Sequence, residues 1–503
     1  MSEVIYSRVV VGMHAPLVAV ECQIAAGLPS TTIVGLPKGA VRESRDRVAA
    51  ALRSSGFVYP NGKVTINLAP GNLPKSSSFL DLPIALSILV SSKQVAGERA
   101  QEFEWIGELG LDGRLRQTHG NIICALATYH SERTLVAPRE AARELGHLIR
   151  HQQEVSVVLA SSLNAATAIL NKSDKPQLAE AVRVEIPIQH STYNDVVGQT
   201  LAKRALALAA AGGHHLLMVG PPGGGKTMLA RALNELLPPL TSEQSLEVAA
   251  VYSSTGLEAP PHRPFREPHH SASSNALLGG GQIPTPGDIA LAHHGVLFLD
   301  ELPHFKPSVL NNLREPIEAG TATLSRVGYR VSYPCRFQLV AAMNPCPTGR
   351  SCREHTCRCN QEQVRRYQSR ISGPLLDRID LQVFVQEVPQ AELLYGKHAD
   401  IDLESLRQHI TKVHQIQIDR QGVNNASLTP RQVTQMIRAA QVSSVLLETL
   451  AEKELSARSL HKTWKVARTI ADLANAQDIT DEHLLQALGF RTLDWEGGLN
   501  ARP

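Results

Sequence analysis

No stretch of the 503-residue sequence holds the roughly 18 consecutive apolar residues that a membrane-spanning helix requires. The opening MSEVIYSRVVVGMHAPL lacks the basic start and long apolar run of a secretory leader, so a cytoplasmic location is expected. Charge of one sign is also missing. Lys and Arg number 50 against 47 Asp and Glu, a net of +3, which excludes an acidic disordered chain or a supercharged one. Any nucleic-acid partner must therefore be held by local basic patches rather than by a whole-chain field. Internal repeats and low-complexity tracts are absent, which argues against solenoids and arrays. Cysteine is sparse and uneven. Of seven, Cys346, Cys352, Cys357 and Cys359 crowd together while Cys22, Cys124 and Cys335 stand apart, a distribution unlike a disulfide scaffold and suggestive of a metal clip in a reducing compartment.

What is present reads as globular: 43% apolar and 19% charged residues, with length for two to four domains at roughly 100 to 200 residues each. Residues 1–170 alternate β-like runs (VIYSRVVVGM, PLVAVECQIA, TTIVGL, KVTINLAP, RTLVAP, VSVVLA) with helical stretches, an α+β or α/β pattern. The clearest helix is AVRESRDRVAAALRSSGF, where Gly56 falls at the expected carboxy-terminal cap. Residues 171–192 are polar with two prolines and read as a linker. A second domain spans 193–386, and from 387 to 503 the periodicity is purely helical.

The second domain opens with an apolar run ending at Val219, then Gly220-Pro221-Pro222-Gly223-Gly224-Gly225-Lys226-Thr227, then the helical MLARALNELL. This is the phosphate-loop pattern in its strand-turn-helix context. Glycines let backbone N–H groups wrap phosphates, Lys226 reaches the β- and γ-phosphates, and the Thr227 hydroxyl can ligate Mg²⁺. These eight residues with Met228 form the expected ATP-binding set. Downstream, Val296-Leu297-Phe298-Leu299 runs into Asp300 and Glu301, a buried strand ending in paired acids. Asp300 suits the Mg²⁺ shell, and Glu301 suits polarising the attacking water. A third strand ends at Asn344, whose amide can position that water or sense the γ-phosphate; a turn asparagine before Pro345 is the plainer alternative.

GPPGGGKT, VLFLDEL, LVAAMNPCP and SGPLLDRID in this order resemble an AAA+ ATPase of the magnesium-chelatase-like branch, which is itself similar to the MCM helicases. With GLPKGAVRESRDRV upstream and ARSLHKTWKVARTIADL downstream, nearly the whole chain resembles the ComM (YifB) family. The resemblance implies a multidomain α/β fold with a P-loop AAA+ core and a helical carboxy-terminal lid. It also implies a homo-hexamer that hydrolyses ATP at subunit interfaces and drives branch migration of DNA in natural transformation, with recombination proteins as further partners. By the same resemblance, Arg378 in LLDRID looks like the arginine finger and Arg458 in LSARSL like the sensor-2 arginine; Arg370 is a weaker finger candidate. A planar, permanently charged guanidinium suits a transferring phosphoryl group, although any one of the three can be a surface ion pair.

The four clustered cysteines, spaced C-x5-C-x4-C-x-C, can bind a structural Zn²⁺, with a loop of unligated thiols as the alternative. His269-His270 and His293-His294 are adjacent pairs expected to point in divergent directions and to be structural. GTATLSRVGYRVSYPCRFQLV reads as a hairpin that resembles the pore-projecting insertion of this branch, placing Arg326, Tyr329 and Arg330 near a threaded DNA strand. GGGQIPTPGDIALAHHG, rich in glycine and proline, is expected to be a second, mobile pore loop.

Residues 60–125 resemble the Lon protease catalytic domain, from Pro74-Lys75 and the helical LPIALSIL to GELGLDGRLRQTHGN. Aligning these segments places Phe79 where the nucleophilic serine belongs and Ile122 where the activating lysine belongs, so the fold is expected without the peptidase chemistry. Two other functions compete with a DNA motor: a metal-chelatase motor subunit, which resembles the core equally but is not expected to carry the Lon-like domain, and a protein-remodelling ATPase.

Overall fold

Alternate buried and half-buried residues fold Leu17–Ala25 and Lys63–Ala69 into a two-faced antiparallel pair, Ala19 opposite Ala69 and Ala25 opposite Lys63. The computed structural model describes residues 3–37, 39–75, 78–152, 154–172, 177–181, 191–282, 284–326, 329–349, 359–389, 402–452 and 456–491. In the amino-terminal domain, eight strands run in the order Gln177–Leu178, Val157–Ala160, Thr134–Pro138, Phe103–Trp105, Ile5–Arg8, Leu17–Ala25, Lys63–Ala69, Ser30–Val34. The six β-like runs all appear as strands. Phe103–Trp105 does not appear among them, because three residues give no period to read, although it sits mid-sheet and is wholly buried. Gln177–Leu178, within the segment expected as linker, adds an antiparallel edge strand to Val157–Ala160. Helix Ala40–Ser54 matches its sequence pattern, and Gly56 lies just beyond it.

Glu104 is fully buried beneath this sheet. Arg8 donates to both its oxygens, at 2.6 and 2.9 Å, and Thr128, Ser131 and Arg133 complete its shell. Burial pushes its carboxyl up, but Arg8 and the hydroxyls hold it below the ordinary value, so the charge is retained inside.

The second domain is a five-stranded, all-parallel sheet ordered Phe265–Arg266, Val296–Leu299, Gln338–Met343, Leu216–Val219, Leu381–Phe384. Its three central strands are continuously buried, as a parallel sheet covered on both faces requires. Alternate residues serve the two faces. Leu216, Met218, Phe298 and Val340 pack with helices Thr200–Gly212 and Lys226–Leu236, while Leu217, Leu299 and Met343 pack with Phe305, Leu310 and Leu313.

The lid comprises helices Leu403–Gln421, Pro430–Ala439, Ser444–Glu452, Ala457–Leu473 and Asp481–Gly489 among the described residues. Its Trp464, Val466 and Ile470 join the same apolar cluster as the sheet's first face. A buried ion pair pins the two together: Lys462 donates to Asp380 at 2.7 Å and to the Arg378 carbonyl at 2.7 Å. Beside it, His214 bonds Thr469 at 2.8 Å.

Helix Ser242–Ser253 joins the amino-terminal domain to the core. Ala249 and Ala250 pack among Ile122, Ile123, Leu145 and Leu148, whereas Val248, Val251 and Tyr252 pack against Leu324, Val331 and Tyr333. Its last residue is clasped from across the junction. Gly120 N–H donates to the Ser253 carbonyl at 2.7 Å, Ile122 N–H to the Ser253 hydroxyl at 3.2 Å, and that hydroxyl donates to Glu144. The hairpin Thr321–Arg326/Tyr329–Pro334 also touches this domain, so closely at Gly12 (φ +62°) that a Cβ there would stand 2.1 Å from Val331 Cγ1.

Candidate active site

Chain order and sheet order together assemble the site. Strands Val296–Leu299, Gln338–Met343 and Leu216–Val219 are neighbours in parallel, so Asp300, Asn344 and the glycine turn emerge side by side at their carboxyl ends. The turn reverses through Gly223 and Gly225, both at φ +80°, where a side chain would be strained. Helix Lys226–Leu236 then points its N-terminal N–H groups at the turn.

Lys226 is buried, and its ammonium donates to the carbonyls of Gly220 at 2.8 Å and Pro221 at 2.9 Å and to Asn344 Oδ1 at 3.1 Å. Burial lowers its pKa, while Asp300 and Glu301 pull the other way. The Thr227 hydroxyl lies 3.3 Å from Asp300 Oδ2. The other oxygen of Asp300 accepts the Glu301 N–H at 2.8 Å. Glu301 occupies the left-handed region at φ +51°, a strained position for a side-chain-bearing residue and one that turns it off the strand axis. Its carboxylate is half exposed and meets His270 Nδ1 at 3.3 Å. Hydroxyl and carboxylate side by side, with an ammonium on the loop carbonyls, fit a Mg²⁺–triphosphate, for which Thr227 and Asp300 would hold the metal and Lys226 the phosphate oxygens.

Arg378 and Arg458 are placed elsewhere. Arg378 is buried, donates to the Pro374 carbonyl at 2.5 Å and pairs with Glu318 Oε1 at 2.9 Å; Arg458 pairs with the same oxygen. Among the described residues, neither makes a hydrogen bond or ion pair with Lys226, Thr227, Asp300 or Glu301.

Two of the four clustered cysteines are described. Cys346 and Cys359 flank the Thr348 hydroxyl at 3.2 and 3.5 Å, and Gly349 in the same loop abuts Pro222 and Asn344. Cys352 and Cys357 lie outside the described residues. The hairpin forms with Arg326 opposite Tyr329 and Ser325 opposite Arg330. Arg326 and Arg330 are exposed. In the second loop, Gly279–Gly280 pairs with Thr285–Pro286, and the buried Tyr333 hydroxyl donates to the Pro284 carbonyl at 2.8 Å.

The histidine pairs do not diverge. His294 adopts φ +55°, its ring lies against that of His293 at a tilt with centroids 3.9 Å apart, and both donate to Glu247 Oε2, at 2.9 and 2.6 Å. Hydrogen bonds from the imidazoles pull the Glu247 pKa down to about 2. This trio is the one group among the described residues whose ligand atoms close to within 4.8 Å. It is not built for a cation: His293 Nδ1 accepts the Arg336 N–H at 3.0 Å, so the neutral ring carries its proton on Nε2, facing Glu247. Glu247 and Glu318 are residues that sequence reasoning missed, and His270, read there as structural, meets Glu301. The paired histidines were the available signal for two of these contacts, and nothing marked Glu318.

Nucleotide chemistry at the carboxyl ends of a five-stranded parallel sheet, beneath a helical lid, makes this chain a P-loop ATPase of the AAA+ class. The family model described as magnesium chelatase, subunit ChlI, matches residues 192–393, and the model of that subunit's C-terminal domain matches 402–491. A third, described as subunit ChlI of Mg-chelatase, matches 20–141. Competence protein ComM of Haemophilus influenzae is 43% identical over 500 residues, 97% of this chain and 97% of its own. YifB of Escherichia coli is 43% identical over 499 residues, covering 98% and 97%. The magnesium-chelatase 67 kDa subunit of Heliobacterium mobile is 30% identical over 183 residues, 30% of this chain and 27% of its own. The chain belongs to the ComM/YifB family of magnesium-chelatase-like AAA+ proteins.

Proposed function

We propose that the protein is an ATP-driven DNA motor, working as a ring of six copies that migrates branched DNA while incoming DNA is integrated during natural transformation. The split of the catalytic groups carries the ring. Lys226, Thr227, Asp300 and Glu301 gather at one pocket, while Arg378 and Arg458 gather at Glu318 without touching it, so a neighbouring copy supplies the guanidinium that meets the γ-phosphate. Thr227 and Asp300 would hold a Mg²⁺, which would supply charge neutralisation at the phosphate oxygens. Glu301 orients the attacking water and accepts its proton, and Asn344 holds Lys226 in place from the adjacent strand.

DNA is favoured as the substrate because likeness to a competence protein covers 97% of the chain, against 30% for the chelatase subunit. Exposed Arg326 and Arg330 supply cations for a strand in the pore, and Tyr329, whose side chain lies outside those described, is the stacking residue the sequence offers. Phe79 and Ile122 lie in one buried apolar cluster, which supports a Lon-like amino-terminal domain that has lost peptidase chemistry and serves as a collar or docking surface. No described helix is long and apolar enough to cross a membrane, and we assign the motor to the cytoplasm, alongside recombination proteins.

The test is a branched DNA substrate incubated with purified protein and ATP, beside Lys226→Ala and Glu301→Gln. The proposal expects branch movement by the parent alone, and weaker DNA binding by Arg326→Ala/Arg330→Ala with ATPase intact. ATP hydrolysis by the parent without branch movement would instead favour a chelatase-type motor or a protein remodeller.

A further inference from the structure

A cavity of about 930 Å³ opens where the three domains meet. Its walls are helix Ala142–His151 of the amino-terminal domain, the core around Asn234–Ser245 and Pro261–Arg263, and lid helix Leu403–Gln421. It is separate from the ATP pocket. Lys226 opens helix Lys226–Leu236 and Asn234 lies in its last turn, roughly 12 Å further along at 1.5 Å per residue.

The wall is unevenly charged. Four side-chain cations, Arg150, Arg263, Arg407 and Lys412, face two carboxylates, Glu235 and Glu404. Both carboxylates are already engaged. Glu235 accepts the Thr192 and Tyr193 N–H groups at 3.1 and 3.4 Å, and Glu404 accepts the Gln408 amide at 3.2 Å. Arg263 is turned to the carbonyls of Pro238 and His294, both at 2.5 Å. Arg407 spends its Nε on the Glu235 carbonyl at 2.5 Å. Arg150 and Lys412, both exposed, make no ion pair among the described residues.

Imidazoles also line the cavity. His147 and His151 share the Ser245 hydroxyl at 3.3 and 3.2 Å, and His262 Nε2 is buried without a partner among the described residues. Burial holds the His147 pKa at about 4, so its ring is neutral in this wall at physiological pH.

Unmatched guanidinium and ammonium groups, converging with imidazole nitrogens on a space of small-ligand size, recognise a compact, multiply charged oxyanion. We infer that this three-domain cavity is a phosphoanion site, distinct from the catalytic pocket, that takes either a free polyphosphate group or the phosphates of a short nucleic-acid segment. It does not depend on the DNA-motor reading. An occupant would bridge helix Ala142–His151 to the lid, tying together domains that otherwise meet through the core.

The experiment is calorimetric titration of full-length protein, its ATP pocket first saturated with a non-hydrolysable ATP analogue, with inorganic tripolyphosphate in one arm and a four-nucleotide oligothymidine in the other. One site per chain is expected in at least one arm. Arg150→Ala/Lys412→Ala should weaken it by about ten-fold or more while leaving ATP turnover unchanged. Lys226→Ala should leave it intact. Binding of tripolyphosphate alone assigns a free polyphosphate ligand, and binding of the oligonucleotide assigns a nucleic-acid backbone. No second site in either arm, or equal binding by the double variant, overturns the inference.

Discussion

Arg378 and Arg458 converge on a single oxygen, Glu318 Oε1, although 80 residues of chain separate them. Helix Arg314–Ala319 supplies the carboxylate, and the lid helix Ala457–Leu473 supplies the second guanidinium. Core and lid thereby bring two arginines to one carboxylate, and among the described residues neither bonds Lys226, Thr227, Asp300 or Glu301. Mixing subunits tests the division of labour. Lys226→Ala and Arg378→Ala should each be inactive alone, the latter by about 10³-fold or more in kcat. Combined in one ring, they should regain turnover wherever an intact loop meets an intact arginine. ATPase rate against mixing ratio is the measurement; a flat line at zero contradicts a shared site.

Glu301→Gln should retain ATP and lose hydrolysis by about 10²- to 10⁴-fold, the range expected for removing a general base. Asp300→Asn should instead raise the Mg²⁺ concentration needed for half-maximal turnover, because its carboxylate stands beside Thr227. Steady-state kinetics across a Mg²⁺ series separate the two.

Asn344→Ala removes the one side-chain acceptor, among the described residues, that holds the Lys226 ammonium. Nucleotide affinity should change little, since the loop carbonyls and helix terminus remain. Turnover should fall by about ten-fold, a loss of one positioning hydrogen bond to a charged group. Equal losses in affinity and kcat would point to a general collapse of the pocket.

The Asp380–Lys462 pair should matter more to stability than an exposed pair. Burial alone would raise Asp380; the Lys462 charge and the neighbouring histidines hold it well below the ordinary carboxylate range. Asp380→Ala leaves a buried ammonium uncompensated and should cost about 3–5 kcal/mol in chemical denaturation. Replacing both residues with apolar ones should recover much of that loss.

Acid should loosen the same seam. Burial holds His214 and His215 at about 4, below the usual 6.5. Between those values the unfolded chain takes up protons that the folded chain refuses, so stability is present above pH 6.5 and drains as pH falls toward 4. Each histidine contributes a slope of up to about 1.4 kcal/mol per pH unit. Urea midpoints at pH 7 and 5 should differ, and His214→Gln should shrink the difference.

Much of the pocket was readable because its requirements are local. A turn that wraps phosphates needs glycines at fixed offsets, and an acid pair ending a buried run needs no partner elsewhere to be noticed. The sheet order then brought Asn344 to Lys226. Features that depend on distant backbone geometry were not readable. Glu247 lies 46 residues before His293, and their meeting depends on a left-handed turn at His294 that nothing in the residue type announces. The placement of Gln177–Leu178 was equally hidden, since a two-residue edge strand is chosen by its neighbour Val157–Ala160 rather than by its own composition.

The clasp around Ser253 means that the polypeptide connection is not what keeps the first domain attached. A protease nick between 180 and 191 should yield two fragments that still elute as one particle, since alanines 249 and 250 remain seated against Ile122 and Leu145. Expressing the ATPase part by itself would lay that seat bare to water and invite clumping, so a truncated ATPase should be judged first by its solubility and only then by its rate.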